Sequence, residues 1–244
     1  MALSAEQIEK NYQKHLKIID TYIGNRKDNI KNMLSKLEGE YVMAPASGRK
    51  WYHNAFAGGY VDHVNRVVEY SIKQKRLFEE MGGTINFTDE ELVFAALFHD
   101  LGKIGDGEKP NYIPQTDKWR QDKLSEMYSF NPDIDFMLVP DRSLFLLQKF
   151  GIKITQNEYI GIRVHDGVFD KSNEAYFFSN MESSKLKSNL VHILHTADYL
   201  ASKVEYDMWK QSGGNSIPKT TKVQSSTGKT VKSSEGLNNL LKNI

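Results

Sequence analysis

The segment LFHDLGK (Leu97 to Lys103) sets an imidazole beside a carboxylate, adds a glycine and a lysine, and closes an apolar run, LVFAALF. Adjacent helical residues project about 100° apart. His99 and Asp100 therefore share no helix face, but they can share one small object such as a metal ion. A carboxylate at the end of so apolar a run is costly unless it is paired or coordinated. Two other residues raise the same demand. His63 lies beside the apolar stripe of GGYVDHVNRVV, and Asp198 lies among Ala197, Leu200 and Ala201 in HILHTADYLAS. Each of these segments reads as a separate helix, and together they offer four nitrogen and oxygen donors to one divalent cation. The chain has no cysteine, which excludes disulfides and thiolate ligands. The donor set suits Mn, Fe, Co, Ni, Zn or Mg better than Cu(I).

Positioning these groups takes a bundle of helices. Residues from about Ser4 to Leu37 carry Ile and Leu at helical spacing; Ser4 with Gln7 makes a capping box, and Gly24-Asn25 divides the stretch in two. The next segment, EYVMAPASGRKWYHNAFAGG, has no period and reads as irregular. The helical period returns at Tyr60 and ends at Met81-Gly82-Gly83. Thr88 caps the next helix, which runs into His99 and Asp100 and is closed by Gly102 and Gly105. Residues 104 to 140 hold most of the prolines and read as a long surface excursion. Further helices are expected over Ser143 to Phe150, over Thr155 to His165, and from Lys187 to about Lys210. Convincing β-strands are absent. The expected fold is an all-α bundle of roughly five to eight helices. Residues 1–45 would pack as N-terminal helices on a core domain of residues 46–210. The Ser/Thr/Lys/Gly-rich tail, 211–244, reads as flexible.

At 244 residues and 39% hydrophobic content the chain can bury a sizeable core. A formal net charge of +1 gives no global field to recruit a long nucleic acid or an anionic membrane. The N-terminus is polar, and no apolar run approaches the roughly 18 residues of a membrane span, so a cytoplasmic protein is expected. Of the remaining histidines, His15 reads as a surface residue of a charged helix and His192 as structural. His195, three residues before Asp198, reads as a packed residue or as a partner to a ligand.

The segments HNAFAGGYVDHV, AALFHDLGK, YIGIRVHDG and HILHTADYLAS resemble, in that order, the HD-domain superfamily of metal-dependent phosphohydrolases over about residues 50 to 205. The resemblance implies an HD-domain helical bundle with His63, His99, Asp100 and Asp198 as metal ligands. It implies hydrolysis of a phosphate ester or anhydride of a small nucleotide-type substrate by a metal-activated water. Asp100 would be ligand and proton acceptor. Lys103 would either stabilise phosphate charge or complement the helix C-terminus. His165 and, more weakly, Arg66 would contact the phosphate. Some members hold two metals through extra histidines. His165 matches one of these, but Val139 and Asp166 stand where others are expected, which favours one tightly held ion. A dinuclear phosphodiesterase acting on cyclic or oligonucleotides is the alternative, followed by a diiron oxygenase and a non-catalytic binding module. Trp51, Tyr52, Phe56, Tyr112 and Trp119 could stack a base, with His53 lining the site. Association into homo-oligomers stays open.

Overall fold

The computed structural model of the chain describes residues 2–48, 54–178 and 181–213. Its helices are α1 (Ala5–Tyr22), α2 (Lys27–Lys36), α3 (Glu38–Met43), α4 (Gly59–Glu80), α5 (Asp89–Phe98), α6 (Lys118–Leu124), α7 (Val139–Lys149), α8 (Gln156–Val164), α9 (Glu174–Phe177) and α10 (Leu190–Gln211). The fold is all-α, as expected, but ten helices are present among the described residues rather than five to eight. The surplus is α3, α6 and α9, each too short to display a period. The 104–140 segment also contains a small antiparallel hairpin of β1 (Tyr112–Pro114) and β2 (Tyr128–Phe130), with Tyr112 opposite Phe130. Strands of three residues carry too little alternation to be read from sequence. Trp51, Tyr52 and His53, and the tail from residue 214, lie outside the described residues.

Local chemistry starts the principal helices where it was legible. Ser4, Thr88 and Thr155 each cap a helix by accepting from the amide three residues on. Gln7, Glu91 and Glu158 return a bond to the cap residue's own amide. The helix α7 begins four residues earlier than expected because Pro140 sits in its first turn, where a missing amide proton costs nothing.

Every residue of α5 from Leu92 to Phe98 is buried, so this helix is apolar all round and forms the centre of the bundle. The long helices α4 and α10 pack on each other and on α5, and α8 closes the remaining side. The helix α1 lies along α4, and Ile8, Ile19 and Ile30 join Phe94, Phe98 and Leu194 in one continuous core. Among the described residues no helix is long and apolar enough to cross a membrane.

His15 corrects the sequence reading. It is 0% exposed, because it falls on the same helical stripe as Ile8, Tyr12 and Ile19. Its Nδ1 lies 2.9 Å from Asn65 Oδ1 and its Nε2 2.7 Å from Tyr41 Oη. Asn65 donates its amide to Asn11 O, so its Oδ1 is an acceptor. Nδ1 therefore carries the proton, and Nε2 accepts from the tyrosine. Both ring nitrogens are satisfied in the neutral form, and burial pushes the pKa down to about 4, against a partial rise from Asn65. An unfolded histidine takes up its proton near 6.5. The neutral form thus contributes stability above about pH 6.5, and that contribution is lost as the pH falls towards 4. Urea midpoints are expected to decline across this window, and to decline less steeply in His15→Gln. Parallel slopes for the two proteins would remove His15 from the account.

Candidate metal centre

The helix α5 stops at Phe98, so His99 and Asp100 occupy the turn behind it and a 3-10 turn, Leu101–Ile104, follows. The last carbonyls of a helix have no amide partner. His99 satisfies one, donating Nδ1–H to Ala96 O at 2.8 Å. His165 repeats the device at the end of α8, bonding Ile162 O at 2.8 Å. One bond thereby caps each helix and orients each ring, turning Nε2 inward towards the carboxylates. Gly102 explains the glycine of the motif. A Cβ there would lie 2.3 Å from Val139 O, so only glycine lets the start of α7 pack against this turn.

Four elements bring their donors to one point. His63, in the second turn of α4, places Nε2 3.0 Å from Asp198 Oδ1 of α10 and 3.7 Å from Asp100 Oδ2. His99 Nε2 lies 3.3 Å from Asp100 Oδ2 and 3.8 Å from Asp198 Oδ1. His165 Nε2 lies 3.6 Å from Asp100 Oδ1. Three overlapping groups, each with its ligand atoms within 4.8 Å of one another, result: His63, His99 and Asp198; His99, Asp100 and His165; His165, Asp166 and Asp198. His63, His99, Asp100 and His165 are buried, whereas Asp198 and Asp166 keep 19% and 45% of their side chains exposed, so the cluster opens to solvent on their side.

The arrangement fits a cation. His99 Nε2 is buried and makes no hydrogen bond, a cost that a bound metal removes. Burial pushes the Asp100 pKa up, but Lys103 and His99 outweigh it and hold the carboxyl well below the usual range. Asp198 is held low in the same way, burial being outweighed by His63 and His99. Burial works against the charge of His63, yet Glu205 and Asp198 lift its pKa to about 10. His165 rises to about 9, with Asp166 and Asp100 overcoming burial. Lys103 Nζ bonds Asp100 Oδ2 at 2.6 Å. Burial disfavours its charge, but Asp100 and Tyr112 hold it above the ordinary ammonium range.

The sequence reading missed Glu205. It lies two turns after Asp198 on the same face of α10, a spacing that could have flagged it. Glu205 is 3% exposed and accepts His63 Nδ1–H at 2.9 Å. That bond leaves His63 Nε2 as the ligand atom. Arg66, expected towards the substrate, faces this side instead. It donates Nε to Glu205 at 3.2 Å and Nη2 to Asp62 at 2.8 Å, apart from the donor cluster. His195 donates Nδ1–H to His165 O at 2.7 Å and so steadies the His165 turn, which makes it a partner as well as a packed residue. His192 is exposed, against the ring of Phe177.

No protein-family model matches this chain, and neither does any curated protein or solved structure. Two expected outcomes follow from the geometry alone. Asp100→Asn keeps the helical circular-dichroism signal and loses the stoichiometric divalent metal that wild type retains after dialysis; an unchanged metal content would dismiss Asp100 as a ligand. Glu205→Gln still binds metal, but about 10- to 100-fold more weakly, the usual scale for the partner of a ligating histidine. Titration with a chelating indicator measures this, and an unaltered affinity would leave Glu205 as a plain ion-pair partner.

Proposed function

We propose that this chain is a metal-dependent phosphohydrolase of the HD-domain type, cleaving a phosphate ester or anhydride of a small nucleotide-type substrate. His63, His99, Asp100 and Asp198 would hold the ion. The observation that carries the reading is Lys103, whose ammonium sits 2.6 Å from a carboxylate of the donor cluster. Lys103 makes the buried Asp100 carboxylate bearable, yet a cation also weakens the hold on a metal, so its place here supports a use beyond pairing. An ammonium beside a metal is useful where an anion must be held, and a phosphoryl group carries its charge on equatorial oxygens.

When bound, a divalent ion lowers the pKa of a water and polarises a phosphoryl oxygen. The protein's own groups supply the rest. Lys103 has three N–H donors and gives one to Asp100, so others remain to hold phosphate charge as it grows. His165, beside Asp100 and Asp166, stands at the open side and orients the same group. Asp100, read from the sequence as ligand and proton acceptor, and the partly exposed Asp198 are the carboxylates beside which an attacking water would sit. The buried walls of α5 keep bulk water out behind the cluster.

One observation favours a second reading. His165, Asp166 and Asp198 form a donor group beside the first. That group suits two ions and a phosphodiesterase acting on cyclic or short oligonucleotides.

The test is phosphate release by manganese-loaded full-length protein from mono-, di- and triphosphate nucleotides, with cyclic and oligonucleotide substrates alongside. Lys103→Ala is expected to lower turnover by about 10²-fold or more while the metal stays bound. A near-wild-type rate would return Lys103 to complementing the helix terminus. No product from any substrate in the panel would overturn the hydrolase reading, and bound iron with oxygen uptake would replace it by oxygenase chemistry.

A further inference from the structure

A cavity of about 410 Å³ lies between α3 and the β1–β2 hairpin. It is within the size range of small-molecule sites. Its walls include Glu40, Met43, Pro45, Tyr112 and Tyr128. Lys103 also lines it. That residue is therefore shared between the cavity and the donor cluster, since its Nζ holds Asp100.

The hairpin is a built wall rather than a loose excursion. The amides of Met127 and Tyr128 both donate to Gly48 O at 3.1 Å. A Cβ on Gly48 would lie 2.8 Å from Tyr128 O and 3.1 Å from the Tyr112 ring, so only glycine seats the hairpin this closely. Tyr112 stacks on Phe130 with ring centroids 5.3 Å apart. At the hairpin's base, buried Arg142 donates to Asn111 Oδ1 at 2.6 Å and to Asp135 O at 2.8 Å. Two tyrosines, two prolines and a methionine thus contribute to a mostly apolar, half-open cavity whose lining also holds one cation, Lys103, and one carboxylate, Glu40.

We propose that this cavity is the subsite for the organic half of the substrate, and that it takes a flat heteroaromatic ring bearing an N–H donor, a nucleobase, while Lys103 and the metal cluster take the phosphate. The proposal rests on the phosphohydrolase reading for the phosphate end. The enclosure supplies the ring contacts: tyrosine faces stack on any base, and proline and methionine cover its edges. Glu40 has only acceptors to offer, so it selects a donor-bearing ring edge and turns away a second phosphate. Lys103, which lines the cavity and bonds Asp100, is the residue that would join the two ends of the ligand.

Calorimetric binding of adenosine 5′-monophosphate and of ribose 5-phosphate to the metal-stripped full chain separates the base from the rest of the ligand. The nucleotide is expected to bind about tenfold or more tightly than the sugar phosphate, the scale of one base–aromatic stack. Tyr128→Ala is expected to collapse that ratio. Glu40→Ala, on a half-exposed helix position, is expected to reduce it even if the tyrosine variant fails to fold. Equal affinities for the two ligands in wild type would overturn the subsite, even where the metal-loaded protein releases phosphate and the hydrolase reading stands. A ratio that Glu40→Ala and a folded Tyr128→Ala both leave unchanged would overturn it equally. A ratio that these variants reduce, without phosphate release from any substrate, would keep the subsite and overturn the hydrolase reading.

Discussion

The carboxylate of Asp100 is the constraint around which the bundle is arranged. It is 3% exposed at the end of the most apolar helix of the protein. Removing an ionised carboxylate from water is far too costly for a fold to bear unless partners surround it. Lys103 bonds it directly, and His63, His99 and His165 approach it from three sides. Each partner arrives on a different element. The helices α4 and α8 and the turn after α5 must therefore end or pass at one place, and α10 must bring Asp198 to the same place. The absence of a side chain at Gly102 lets the start of α7 close over the turn that carries Asp100 and Lys103.

Much of this was legible because it is written in short-range chemistry. The three capping boxes name their own residues, and the all-apolar run of α5 announces a central helix. The donors His63, His99, Asp100 and Asp198 stood out as polar groups on apolar faces, and the structure brings all four together with His165. What escaped was long-range or short-lived in sequence. His15 looked exposed because lysines and glutamates surround it in the chain, while its partners, Asn65 and Tyr41, lie on other helices. Glu205 was hidden among the charged residues near the end of α10, and its meaning depends on His63 of α4. The short helices and the hairpin have too few residues to express any period.

The second layer matters as much as the donors. Asp62, Arg66, Glu205 and His63 form one continuous chain of charge-assisted bonds from the surface to the ligand atom. On the other side, His195 holds the carbonyl of His165. Both supports come from α10, the helix that also carries Asp198. Rotating α10 about its axis would therefore disturb His63, His165 and Asp198 together. Precise placement of several ligands is thus reduced to the seating of one long helix against α4, where apolar packing is extensive.

The cluster balances much of its charge from its own side chains. With pKa values near 10 and 9, His63 and His165 are both cationic at neutral pH in the absence of metal. Their two positive charges stand against Asp100, Asp198 and Asp166, while Arg66 is shared between Glu205 and Asp62. A divalent cation held by His63 would displace its proton, because a ligating imidazole must be neutral. Metal binding at this cluster would therefore compete with a proton. Lys103 holds Asp100 and also lines the cavity beside the hairpin, so the cation that makes the buried carboxylate bearable is the same one that borders the space beyond it.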